Sequence, residues 1–137
     1  MDKILLGSVI AQLFLTFTLM FMMGIARINA VKSKQVRISE IALATDKYPT
    51  KARQIANAFA NQFQMPTLFY FGVVLCLIYG QISWIEITLA YSFVIMRFVH
   101  AFIHIGKNNP VQRLNAYLVG VLLLMAFLIS VFLKIIL

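Results

Sequence analysis

Long uncharged apolar runs organise this chain. Ile4 to Ala26 is 23 residues without a charge. Gln54 to Ile85 is a longer uncharged run, polar at its start and apolar from about Phe63 to Tyr79. Ile82 to Ile105 is apolar except for Glu86, Arg97, His100 and His104. Leu114 to Leu133 is 20 residues without a charge, closed by Lys134. A helix needs about 20 residues to cross the hydrocarbon core of a bilayer. Nothing resembles the ~10-residue alternating segments of a membrane barrel. The pattern therefore predicts an all-α integral membrane protein, a four-transmembrane-helix bundle. Its helices fall at about 4–28, 51–79, 82–106 and 110–136, in a single domain over 1–137, with one long connection at about 29–50.

The polar positions inside these runs fall on faces. Arg53, Asn57, Asn61 and Gln64 are spaced four, four and three, within about 80° around a helix of 3.6 residues per turn. Arg97, His100 and His104, spaced three and four, lie within about 60°. Arg113 and Tyr117 lie one turn apart at the start of the last helix. All three faces lie toward the same end of the bundle, where they can meet.

Local signals place the ends. Thr50 is a candidate cap for the second helix. Gly80 and Gln81 make a short turn, and Gly106 ends the third helix with Lys107 at the negative end of its dipole. Asn109-Pro110 reads as a cap followed by proline at the first helical position. Pro66, inside the second helix, removes a hydrogen bond and is expected to kink it.

Composition agrees with the pattern. Of 137 residues, 62% are hydrophobic and 12% charged, with a mean hydropathy of +0.91, against roughly 25% charged in a soluble domain. The first apolar stretch exceeds the roughly 7–15 residues of a signal h-region. No small-x-small cleavage site follows it, so it is expected to be retained as helix 1.

The net charge of +8 is uneven. Arg27 to Arg53 holds seven basic residues against Glu40 and Asp46, a net of +5, and Arg97 to Arg113 holds a net of +3. The positive-inside rule puts these two connections in the cytoplasm and both termini outside. Topology and attraction to anionic headgroups account for this basic surface without nucleic acid. Cys76, the single cysteine, lies mid-span and reads as a packing residue.

No acid lies in the polar set, so its cations favour an anion: a carboxylate, a phosphate or a thiolate. Insertion scales put a central membrane arginine at roughly +2.5 to +3.5 kcal/mol, so Arg97 should face the bundle interior or a wet cavity. Polar packing between helices without a ligand is the alternative. His100 and His104 could share a metal, but a third ligand of the right type is missing nearby, and no metal site is assigned. A proton-coupled exporter would need a membrane-embedded acid, for which Glu86 is the candidate.

These residues also carry a resemblance. N-A-F-A-N-Q-F-Q-M-P-T-L-F-Y (57–70), then R-x-x-H-x-x-x-H-x-G-K (97–107) and R-x-x-x-Y (113–117), resemble the MAPEG family, membrane-associated proteins of eicosanoid and glutathione metabolism. The chain looks like a bacterial-type member, with the Arg97 to Tyr117 spacing similar to that of the microsomal prostaglandin E synthase branch. The resemblance implies a homotrimer with glutathione sites between subunits, open to the cytoplasmic side, and placement in a bacterial inner membrane. It implies Arg113 as the catalytic residue that stabilises the glutathione thiolate. It further implies Asn57, Asn61, Gln64, Arg97, His100, His104 and Tyr117 as cofactor-binding positions.

Three departures stand against it. Asn57 replaces an arginine of the family pattern, Gln64 an acid, and His104 a tyrosine. A neutral Gln64 recognises an ammonium less well than a carboxylate would. The expected function is thus binding of glutathione or a related anionic thiol, with possible glutathione S-transferase or peroxidase chemistry on lipophilic electrophiles. The alternative is a non-catalytic membrane protein binding a lipid or fatty acid. Partners are a second and third copy of the chain, membrane lipids and a lipophilic small molecule.

Overall fold

A computed structural model describes residues 1–42, 45–79 and 82–137; the expected Gly80–Gln81 turn lies outside the described residues. The chain is all α. Helix α1 spans Asp2–Lys32, a short α2 Ile38–Ile41, α3 Thr50–Ala60, α4 Met65–Tyr79, α5 Trp84–Ile105 and α6 Pro110–Ile136, with a 3-10 turn at Asn61–Phe63 between α3 and α4. Among the described residues, four stretches are long and apolar enough to cross a membrane: Asp2–Lys32, Thr50–Tyr79, Trp84–Ile105 and Pro110–Ile136. The protein is an integral membrane protein with four apolar spans.

Several boundaries differ from the sequence expectation, for local reasons. Helix α1 runs on to Lys32, because Arg27 and Asn29 are no obstacle to a helix once it has left the hydrocarbon. The connection after it contains α2, where Glu40 accepts a 2.9 Å bond from the Arg37 N–H. Thr50 is the first residue of α3 and makes no side-chain cap; Pro49 holds the cap position. Asn109 behaves as expected, its Oδ1 accepting from the N–H groups of Val111 and Gln112 at 3.0 and 3.1 Å, with Pro110 next. Ser83 and Glu86 form a capping box at the start of α5.

The expected kink is a real break. The α-helical register stops at Ala60, tightens through Asn61–Phe63 and resumes at Met65. Pro66 is the reason on the C-terminal side, since it offers no N–H to the Gln62 carbonyl four residues back.

The helices pack as pairs, α5 along α6 and α1 along α3. Two apolar clusters result. One gathers Leu5, Phe69, Val73, Ile87, Phe93, Leu124 and Phe127, with the Phe69 ring centroid 5.1 Å from Phe93 and 5.9 Å from Phe127. The other gathers Leu15, Leu19, Ala58 and Ala101. Cys76 is buried in the first cluster, as a packing residue should be. Between the clusters along each helix sit Gln12, Gln62 and Arg97, all buried. Gln12 Nε2 donates to Gln62 Oε1 at 2.9 Å, and Gln62 Nε2 donates to the Ala58 carbonyl at 3.0 Å. A polar layer therefore crosses the bundle at the level of the helix break.

Candidate functional site

The end of α5 is tied to the start of α3. Gln54 Nε2 donates to the carbonyls of His104 and Gly106, at 2.5 and 3.0 Å, and Lys51 Nζ donates to the Ile105 carbonyl. These are terminal carbonyls without helical donors, and a cation beside them also meets the negative end of the helix dipole. Sequence reasoning assigned that place to Lys107, which is exposed; Lys51 fills it. The contact brings the Arg27–Arg53 and Arg97–Arg113 connections to one end of the bundle.

At that end the helices form an open groove of about 490 Å³, lined by Asn57, Ala60, Asn61 and Gln64 of the broken helix, His100 and His104 of α5, and Pro110, Arg113, Leu114 and Tyr117 of α6. Seven of the eight residues expected from sequence share this one groove. The eighth, Arg97, lies beneath it at 3% exposure. Its Nη2 donates to the Asn61 backbone carbonyl at 2.8 Å, while its Nε has no hydrogen-bond partner among the described residues. Arg53 does not line this groove; it lines a second cavity with Arg27, Tyr48 and Asn57, and Asn57 stands between the two.

Arg113 is fixed at the mouth. Its Nη1 donates to Asn108 Oδ1 at 2.9 Å and stands 3.5 Å from His104 Nε2, at the outer limit of a hydrogen bond. Asn108 occupies the left-handed region, φ 52°, which asparagine tolerates better than most residues. Sequence reasoning missed it. The signal available was an asparagine pair after Gly106, in which the second residue capped a helix and the first had no assigned role.

The histidines can be assigned tautomers by partner. His100 Nδ1 lies 3.1 Å from the Arg113 backbone carbonyl. A carbonyl only accepts, so Nδ1 carries the proton and Nε2 of the neutral ring is an acceptor. By the same logic the guanidinium makes His104 Nε2 an acceptor. His100 Nε2 and His104 Nδ1 are buried without a hydrogen-bond partner among the described residues. The rings stand 5.8 Å apart, and His100 lies 6.0 Å from the Tyr117 ring. The groove thus combines a fixed guanidinium, a second cation behind its wall, three amides, two imidazoles and a phenol. Among the described residues, no carboxylate lines it.

Glu86, the sequence candidate for proton exchange, is elsewhere. It is fully buried at the other end of α5, accepting from Lys134 Nζ and Ser83 Oγ at 2.6 Å each and from Ser130 Oγ at 2.5 Å.

Four apolar spans among the described residues define the class, an integral membrane protein of helical type. Residues 5–133 match the MAPEG family, and the chain belongs to it. No curated protein and no solved structure matches the chain.

Proposed function

We propose that the groove binds glutathione or a related anionic thiol and presents its thiolate to a lipophilic electrophile that arrives through the bilayer. The observation that carries this reading is the setting of Arg113: a guanidinium anchored by Asn108 in a cavity of about 490 Å³, without a competing carboxylate. That volume lies in the range of small-molecule sites, about 300–1,000 Å³. The residues fit the anionic parts of such a thiol. They offer guanidinium and amide donors for carboxylates, and buried imidazole atoms still able to form hydrogen bonds.

A free thiol near pKa 8.5 is mostly protonated at neutral pH, and a desolvated guanidinium beside it favours the nucleophilic thiolate. In this reading Arg113 donates to the sulfur, and His100, whose Nε2 is an acceptor without a partner among the described residues, is the group that takes or returns its proton. Asn57, Asn61 and Gln64 orient the carrier. Arg97 acts from behind the wall, holding Asn61 in place and adding positive potential. Attack on an electrophilic carbon forms the C–S bond as a leaving group such as halide departs with its electron pair, or as a conjugated C=C π bond breaks and the resulting carbanion takes a proton. Either course converts a membrane-soluble compound to an anionic conjugate. Glutathione S-transferase activity is the first reaction class to test, and peroxidase activity the second.

The same reading places the basic end in the cytoplasm and both termini outside, supported by the net +5 and +3 of the two connections gathered there. It includes a homotrimer in a bacterial inner membrane with the groove shared between neighbours, supported by the family resemblance. A second reading, a non-catalytic site for a fatty-acid carboxylate, is favoured by one observation: the lack of any acid to receive an ammonium.

The deciding experiment is thermal unfolding of the detergent-purified protein with and without millimolar glutathione, alongside Arg113→Ala. A ligand at 100 times its dissociation constant stabilises by about 2.7 kcal/mol. A shift that disappears in Arg113→Ala supports the thiol site. A shift with a fatty acid and none with glutathione replaces it by the second reading.

A further inference from the structure

The second cavity at the basic end has a chemistry of its own. It measures about 220 Å³ and brings together Arg27 of α1, Arg53 of α3, and Thr45, Asp46 and Tyr48 of the connection between them. Arg27 lies five residues before the end of α1 and Arg53 three residues after the start of α3. Both guanidiniums therefore stand where a span leaves the hydrocarbon, at the level of lipid headgroups. Tyrosine is enriched at that level in membrane proteins.

Arginines at a membrane edge are ordinarily explained by snorkelling, a flexible side chain reaching water. Arg27 is not arranged that way. Its guanidinium carbon lies 5.2 Å from the centroid of the Tyr48 ring, and its Nε is buried without a hydrogen-bond partner among the described residues. The ring stacks one face of the cation and holds it in place. Neither Arg27 nor Arg53 is ion-paired among the described residues. Two like charges are thus held around one small cavity, an arrangement that a bound anion relieves. Asp46 lines the same cavity beyond ion-pair distance from both. The cavity offers two positive groups and one negative group, separated.

We propose that this cavity is a binding site for the headgroup of an aminophospholipid, phosphatidylethanolamine in type. Its phosphodiester would sit between Arg27 and Arg53, and its primary ammonium would sit on Asp46, with the Thr45 and Tyr48 hydroxyls able to donate to remaining phosphate oxygens. Guanidinium presents paired N–H donors that match phosphate oxygens. A primary ammonium donates three hydrogen bonds to carboxylates and hydroxyls, whereas a quaternary ammonium donates none. The site therefore favours ethanolamine over choline through Asp46. It favours ethanolamine over glycerol headgroups because neutral glycerol hydroxyls bring Asp46 no positive charge, although glycerol phospholipids carry more net negative charge.

The test uses the full-length protein in detergent, delipidated and then supplied with phosphatidylethanolamine, phosphatidylcholine or phosphatidylglycerol of matched acyl chains. Retained lipid is counted by native mass spectrometry, and thermal unfolding is read in parallel. Phosphatidylethanolamine is expected to be retained in preference to the other two. Arg53→Gln, at an exposed position, is expected to weaken that retention at least about tenfold through loss of a charge-assisted bond. Asp46→Asn is expected to erase the preference for ethanolamine over choline while leaving both bound.

Equal retention of the three lipids, or an ethanolamine preference that survives Asp46→Asn, overturns the proposal. So does equal protection by soluble phosphoethanolamine, which would make the ligand a free phosphate ester rather than a lipid. Asn57 lines both cavities, so glutathione is run as a separate arm. Glutathione protection lost in Arg53→Gln would assign the cavity to the groove's ligand and overturn the lipid site. Absence of any glutathione effect leaves the lipid comparison readable by itself.

Discussion

The guanidinium of Arg97 is held on the backbone carbonyl of Asn61, 2.8 Å away. An intramembrane arginine needs a partner, and a bound anion or lipid phosphate would have been the obvious choice. Here the partner is internal. In an unbroken helix the Asn61 carbonyl would accept from the N–H of Met65, but the 3-10 turn at Asn61–Phe63 diverts the register and turns that carbonyl to Arg97. The helix break and the buried cation explain each other.

Arg97 and Arg113 should therefore behave differently on substitution. Arg97→Ala removes a charged hydrogen-bond donor from the part-buried Asn61 carbonyl, at about 1.5–3 kcal/mol, and opens space beneath the groove. Loss of folded protein or a markedly lowered unfolding temperature is expected, with or without ligand. Arg113 is partly exposed at the mouth, so Arg113→Ala should unfold near the wild-type temperature but lose stabilisation by glutathione. Equal unfolding temperatures for Arg97→Ala and the wild type would refute the structural role of Arg97.

Pro66 gives a second test of the same relationship. In Pro66→Ala the restored N–H can bond the Gln62 carbonyl, which lets α3 and α4 join as one helix. The Asn61 carbonyl would then return to the helical ladder and Arg97 would lose it. The expected result is a protein that remains folded and helical by circular dichroism but shows a reduced unfolding shift with glutathione. An undiminished shift would mean that the break is maintained by packing alone.

Four spans could be read from uncharged runs because the length requirement of a bilayer is severe and composition answers it directly. The groove was legible for a related reason. Asn57, Asn61, Gln64, His100, His104, Arg113 and Tyr117 recur at three- and four-residue intervals, and periodicity reports which side chains share a face. It does not report what backbone a helix break uncovers, so the partner of Arg97 was invisible. Nor does it say where one cavity ends and the next begins: Asn57 lines two, and Arg53 only the second. Contacts between distant segments left no local trace: Lys51 on the end of α5, and Ser130 and Lys134 on Glu86.

The Glu86–Lys134 pair predicts a stability effect at the far end of the bundle. Glu86 is completely buried and Lys134 keeps 30% side-chain exposure, so the pair is only partly screened. Glu86→Gln removes the charge while keeping an acceptor for Ser130. A loss of about 1.5–3 kcal/mol is expected, the range for a hydrogen bond to a charged group. A double-mutant cycle with Lys134→Met, read by chemical unfolding in detergent, isolates the pair. A coupling energy near zero would mean that the serines alone satisfy Glu86.

Gly72 predicts an effect of pure packing. A Cβ placed there would approach Leu128 Cδ2 and Phe127 Cε1 at 2.7 Å each. Both belong to or pack on the aromatic cluster around Phe69 and Phe93. Overfilling such a core costs about 1–3 kcal/mol. Gly72→Ala should lower the unfolding temperature without altering ligand preference, since the groove lies beyond the polar layer. A variant as stable as the wild type would show that Leu128 and Phe127 can move aside at little cost.

Asn108 allows the conformational and chemical parts of a site residue to be separated. Its φ of 52° suits glycine as well as asparagine, so Asn108→Gly keeps the turn between α5 and α6. Only the Oδ1 that accepts from Arg113 is lost. A released Arg113 gains rotamer freedom and must be ordered again by each ligand. Removing one such hydrogen bond costs about 1 kcal/mol, or roughly fivefold in affinity. Titration calorimetry with glutathione should show that loss at an unchanged unfolding temperature of the ligand-free protein. Asn108→Asp, which keeps the acceptor and adds charge, should hold Arg113 more tightly but weaken the thiolate's claim on it. Both variants are therefore expected to bind less tightly than the wild type, for opposite reasons. An affinity unchanged in both would show that Arg113 does not need Asn108 to reach the ligand.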